Sequence, residues 1–326
     1  EDEAAPSEPR SAHRAASLVT IGLLVLVLVA LPFAIRSMAA TLFGEQQDTL
    51  YDLVNGGVAA PVAGAPAGDN QSYVNIAVVN LDPVTGLASL AVSGNRVCPT
   101  VCPKVVLTLL ALDENAAQRR GLPPSATVTL EPTDTIFSQS VLLPVRGRPN
   151  LYPFDAYDLW LGFAVVVSGP DGKPQSLDRA LVKEHAVVTL QNQLSQFVME
   201  PPQVIDPARA AAATDPFALP LVESLHFQRP DYLEILAVLL VTLIAVSGSI
   251  ALMRRAIDDL LLGIGGLILG VWGVRSVLVS QPLPGVSAID LALSFVILFL
   301  LLGLTLRLTR HYHRLSQWPW SARGQR

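Results

Sequence analysis

Four apolar runs, residues 18–35, 232–253, 260–279 and 286–308, dominate the chain. Each approaches the ~20 residues that an α-helix needs to cross ~30 Å of hydrocarbon. One stands near the start and three follow one another at the end, with residues 37–229 between them. Only 15% of the 326 residues are charged and mean hydropathy is +0.46, a balance soluble domains rarely show. The layout predicts an integral membrane protein with one large domain outside the bilayer.

Arginines set the expected orientation. Arg10 and Arg14 precede the first run, Arg254 and Arg255 join the second to the third, and Arg307, Arg310 and Arg314 follow the fourth. The positive-inside rule puts all three sites in the cytoplasm, leaving both termini inside and residues 37–229 outside. The first run is longer than a usual signal-peptide core and is expected to be a retained anchor, although Ser37-Met38-Ala39 has the small-residue form of a cleavage site. The net charge of −5 is dispersed. With no Lys/Arg run among aromatics, the electrostatic footprint of a nucleic-acid binder is missing.

Within the outer region, residues 48–55 are expected to continue as an amphipathic helical stub and residues 56–68, rich in Gly, Ala and Pro, to form a linker. Period-2 alternation begins at residues 72–81 and resumes at 87–92 after Asp82-Pro83-Val84-Thr85-Gly86, which supplies turn chemistry for a hairpin. Further strands are expected at 104–112, 126–130, 137–143, 159–168, 185–191 and 219–227, with a long loop at 201–214. Short strands with regular turns predict a β-sandwich. Cys98-Pro-Thr-Val-Cys102 has no third Cys or nearby His to complete a zinc site. A local disulfide is the preferred expectation, with two free small hydrophobes or a redox pair as the alternatives. The fold class expected is thus α+β: an extracytoplasmic β-sandwich (72–229) plus four transmembrane helices, one N-terminal (18–36) and three C-terminal (230–310). A linker (37–71) and cytoplasmic tails (1–17 and 311–326) complete the plan.

Three stretches carry a resemblance. Tyr152-Pro153-Phe154-Asp155 resembles the aromatic-Pro-Phe-Asp loop of pentameric ligand-gated ion channels. Arg229-Pro230-Asp231-Tyr232 resembles the end of their last extracellular strand, and Leu283-Pro284-Gly285-Val286 up to Asp290 the start of their third membrane helix. The layout is similar to a family of uncharacterised bacterial membrane proteins with a Tyr-Pro-Phe-Asp motif, which implies a bacterial inner membrane and no stated activity. The channel pattern is incomplete here: a fourth helix after the domain is missing, no cysteine pair brackets the loop, and run 260–279 is poor in Ser and Thr. Physically, Pro153 fixes φ, Tyr152 and Phe154 can bury against helix ends, and Asp155 can accept from Arg229. The loop is expected to couple the sandwich to the helices, either by packing alone or by passing a signal.

In run 260–279, Gly263, Gly266, Gly270 and Gly273 share one face, open to close approach by another helix. An intrachain partner is favoured narrowly over another chain. Arg275 and Asp290 flank the turn after that run and are expected either to pair or to snorkel separately, an intramembrane charge being a default functional candidate. His311 and His313, one residue apart at a helix end, point apart and make a poor metal site. No Ser-His-acid set, H-E-x-x-H or dinucleotide fingerprint is present. The function expected is a non-catalytic accessory, scaffolding or sensing subunit of a membrane assembly. No enzyme activity, cofactor or nucleic acid is expected; the partners would be other membrane-protein subunits and the lipid bilayer, with a homo-oligomer possible. The alternative is a pentameric channel-like receptor.

Overall fold

The computed structural model of the chain describes residues 10–43, 49–59, 71–112, 124–169, 171–206, 219–254, 257–278 and 285–316. It divides into two compact units. One comprises the chain up to Met38, Asn150–Pro153 and everything from Asp231; the other comprises Ala39–Pro149 and Phe154–Pro230.

The first unit is helical: α1 (Arg10–Phe43), α3 (Asp231–Arg254), α4 (Ile257–Leu278) and α5 (Ala288–Ser316). Two helical stretches, Asp231–Leu252 and Ala288–His311, are long and apolar enough to cross a membrane; Val25–Ala40 and Gly263–Ser276 are apolar but shorter. Of the four expected spans, the runs at 18–35 and 260–279 coincide with helices whose described apolar stretches are shorter, and those at 232–253 and 286–308 coincide with helices that meet the length and apolarity of a span. Burial within the chain covers only 17% and 28% of those two stretches. Their apolar surface therefore faces outward, unlike the core helix of a soluble protein. Ala237, Val271, Ile289 and Leu293 join α3, α4 and α5 in one cluster, and Ile264 and Leu304 form another.

Among the described residues the second unit holds thirteen strands: β1 (Leu50–Asp52), β2 (Ser72–Asp82), β3 (Leu87–Asn95), β4 (Val105–Leu112), β5 (Ser125–Leu130), β6 (Ile136–Pro144), β7 (Arg146–Gly147), β8 (Ala156–Ser168), β9 (Pro174–Ser176), β10 (Ala186–Asn192), β11 (Val198–Met199), β12 (Gln203–Val204) and β13 (Leu221–Gln228). One sheet runs β1-β10-β2-β3-β6 and the other β11-β13-β8-β4-β5, with β7 and β9 paired to β8 and β12 to β13. Alternate residues of both sheets meet in one core, Ile76, Val78, Leu90 and Val92 from the first against Leu109, Leu161, Phe163 and Phe227 from the second. Each such side chain contributes roughly 1.5–3 kcal/mol on burial. β4 is apolar apart from the buried Thr108 because both its faces are covered: Leu107 and Leu109 enter the main core, while Leu110 and Leu112 join Ala164, Leu219 and Val222 on the outer face.

β10 lies parallel to β2, from Ala186 opposite Ser72 to Asn192 opposite Val78, and β1 runs antiparallel along its other edge. Two expectations change here. Leu50–Asp52 is a strand rather than a helical stub; the turn that follows is closed by Asp52, whose Oδ1 accepts from Val54 N and Asn55 N at 2.9 Å. His185 ends a short helix, α2 (Arg179–His185), instead of opening a strand. Asp178 caps that helix, its Oδ1 accepting from Leu181 N at 2.8 Å. The expected loop at 201–214 contains β12, and residues 207–214 lie outside the described residues, as does most of the 56–68 linker.

Candidate functional site

The Tyr-Pro-Phe-Asp segment holds one of the points where the chain passes from one unit to the other, between Pro153 and Phe154. Pro149–Leu151 forms a 3-10 turn and the Tyr152–Pro153 peptide is cis. Tyr152 belongs to the helical unit and is buried with Ala237, Val271, Ile289 and Leu293. Phe154, expected to bury its ring in the same way, is instead 48% exposed.

Asp155 and Arg229 lie in the sandwich unit, 1% and 5% exposed. Arg229 Nε donates to Asp155 Oδ1 at 3.1 Å and Oδ2 at 3.3 Å, and Nη1 reaches Gln196 Oε1 at 3.5 Å. The guanidinium carbon sits 4.1 Å from the Phe197 ring centroid, a cation–π contact in a site withdrawn from water. Tyr157 meets Phe197 edge-on, centroids 5.4 Å apart at 87°. Gly147 faces Tyr157 across β7 and β8; a Cβ there would come within 2.0 Å of the ring, so glycine is what lets the ring lie over the neighbouring strand. Tyr157 Oη is buried and has no hydrogen-bond partner among the described residues. Burial foremost, and the nearby Asp155 charge, raise its hydroxyl well above the usual phenol range. The sequence singled out Asp155 and Arg229. It gave no sign of Phe197, which lies outside any alternating pattern.

A second charged pair joins α4 to α5. Arg275 Nε donates to Asp290 Oδ1, and its guanidinium lies 5.9 Å from the Trp272 ring. Ser287 N and Oγ donate to Asp290 Oδ2 at 3.0 and 2.8 Å, which makes Ser287-x-x-Asp290 a cap on the first turn of α5. Of the two expectations for these residues, pairing is the one present.

The glycine face of α4 differs from expectation. A Cβ on Gly266, Gly270 or Gly273 would meet nothing within 4 Å among the described residues, so the favoured intrachain partner is not found there. Close approach occurs between α3 and α5, where a Cβ on Gly248 would stand 2.4 Å from Leu300 Cδ2 and one on Gly303 2.8 Å from Leu252 Cδ1. These two single glycines lack the recurrence that drew attention to α4.

Cys98 and Cys102 form a disulfide with Cα atoms 5.3 Å apart. Glu223 is an inward-facing carboxyl the sequence reading passed over; it alternates with Leu221 and Leu225 of the main core and is 3% exposed. Burial pushes its pKa up to about 7, the charge of Arg179 offsetting part of the rise. Its place in the period-2 pattern was the available signal. Asp158 Oδ1 and His226 Nδ1 lie 2.6 Å apart on partly exposed strand positions. No three His, Cys, Asp or Glu side chains gather into a metal-binding group among the described residues.

These features define a class: a two-sheet β-domain in a chain that carries membrane-length helices. A family model described as a domain of unknown function (DUF4436) matches residues 107–218, within the β-rich part of the chain. No curated protein matches the chain.

Proposed function

We propose that this protein is a non-catalytic accessory, scaffolding or sensing subunit of a bacterial inner-membrane assembly, crossing the membrane four times and making contacts through its extracytoplasmic sandwich and its helices. The observation that carries the reading is the face of α4: Gly266, Gly270 and Gly273 stand open beside Leu269 and Trp272, which are 74% and 61% exposed. Small residues beside large exposed ones on an apolar helix fit close packing by a helix of another chain, because lipid tails gain little from such a notch. Arginines at the proposed cytoplasmic ends support the orientation. The Cys98–Cys102 disulfide supports an oxidising compartment for the sandwich.

The test is the mass and symmetry of the gently solubilised particle, with mass spectrometry of every chain recovered in stoichiometric amount. A single copy among different membrane subunits is expected. A self-only ring of five would overturn the reading in favour of a channel-like receptor and make ion flux the next measurement.

A further inference from the structure

The two sheets do not fill the space between them evenly. Toward the disulfide end the inward side chains shrink in step: Ile76 and Val74 give way to Ser72 on β2, Leu190 and Val188 to Ala186 on β10, and Leu109 and Leu107 to Val105 on β4. Because each sheet tapers at the same end, an open cavity of about 700 Å³ remains there. That is within the ~300–1,000 Å³ of small-molecule sites.

Its floor is apolar, formed by Leu107, Leu130, Phe163, Val165 and Val188. α2 walls one side through Leu181 and Val182, and the disulfide loop edges the mouth with Val101, 75% exposed. Among the described residues that line the cavity, Arg96 is the side chain of fixed charge, His185 is the other basic one, and none is a carboxylate. The Arg96 guanidinium is held in place by backbone carbonyls, Nη1 donating to Glu131 O at 2.8 Å and Asp134 O at 3.3 Å and Nη2 to Pro103 O. These neutral acceptors fix its position without cancelling its charge, although the Asp134 carboxylate lies close enough to be felt.

A deep apolar floor with one positioned cation at the rim suits a ligand with a long apolar tail and an anionic head. We infer that this cavity binds the acyl chain of an anionic amphiphile, with the head against Arg96. The inference stands apart from the assembly proposed above, since it uses only the sandwich.

The probe is palmitic acid carrying a photoreactive diazirine near its tail, applied to the full chain in lipid nanodiscs, with adducts mapped by peptide mass spectrometry. Adducts on the strands that form the floor, competed by unlabelled palmitate, are expected. Ala186→Trp, which fills the tapered end, should lower that labelling roughly tenfold. Val101→Asp, at an exposed position that leaves folding untouched, should lower it several-fold by repelling the head. Arg96→Gln should weaken the acid roughly threefold, the size a partly exposed ion pair supports, and leave the matching long-chain alcohol unchanged. Cooperative thermal unfolding at close to the wild-type temperature checks that each variant is folded. A parallel arm with photoreactive phosphatidylglycerol separates the two sources: floor adducts from the phospholipid alone assign the chain to a membrane lipid. Adducts confined to the helices with both probes, or floor labelling unchanged in both Ala186→Trp and Val101→Asp, would overturn the inference.

Discussion

The partners of Arg229 include the Asp155 carboxylate, the Gln196 amide and the face of Phe197. Removing Asp155 deletes the carboxylate to which this guanidinium, 5% exposed, is bonded, and breaking a buried pair in this way costs about 3–5 kcal/mol. Asp155→Ala is therefore expected to lower the unfolding free energy by that amount, and Asp155→Leu with Arg229→Met to recover most of it, since an apolar pair of similar volume needs no compensation. Urea unfolding measures both; a double variant no better than the single one would show that charge is not what matters at this site. Tyr157→Phe is expected to change stability by less than ~1 kcal/mol, because its buried hydroxyl makes no well-formed hydrogen bond and only lies near the Asp155 carboxylate. Glu223 gives a pH signature. Its carboxyl sits at about 7 in the folded protein against an ordinary 4.5, so the native state holds the proton more tightly than the unfolded chain. Stability then falls as pH rises from 4.5 through 7. Glu223→Gln should unfold at the wild-type temperature below that window and be more stable above it, by on the order of 3 kcal/mol; equal profiles at both ends would refute the assignment. At this scale a motif made Asp155 and Arg229 legible, because Pro-Phe-Asp and Arg-Pro mark positions where the chain turns. Phe197 was hidden because a partner supplied from elsewhere in the chain leaves no local pattern.

Strands were the most legible elements. β4, β8 and β13 announce themselves by β-branched and aromatic runs, and their ends fall within a few residues of the expected ones. β1 was not legible: three residues cannot establish a period, and it pairs with β10 across more than a hundred residues of sequence. α2 was missed for the same reason, since seven residues are two turns, even though Asp178 displayed a capping signal. Among the helices, sequence spacing pointed to α4, whereas the tight crossing is between α3 and α5. Gly248→Val should destabilise the helical unit by about 1–3 kcal/mol through overpacking on Leu300, with partial rescue by Leu300→Ala. Gly270→Val should leave an isolated chain unaffected; a loss of native mass in the same variant would place another helix on that face. Both are read by thermal unfolding and native mass spectrometry. Cys98→Ser with Cys102→Ser removes a bridge of sequence separation 4. By loop entropy it should cost about 2 kcal/mol, a modest value because so short a loop has little freedom to lose.

At the scale of the whole molecule, the division into a helical part and a β-rich part was visible in composition alone, because lipid and water demand different sequences. Strand order was not visible, because it depends on which edges meet. β10 is inserted between β1 and β2, with one neighbour antiparallel and the other parallel. That placement sets a schedule for the newborn chain. As the polypeptide emerges from its N-terminus, β2, β3 and β6 can pair in turn, yet β1 has no edge to join until Asn192 has been made and delivered. Throughout that interval the outer edge of β2 stands unpaired, and an open strand edge is what aggregation and domain exchange act on. Synthesis must therefore outrun misassembly at one particular seam of the domain.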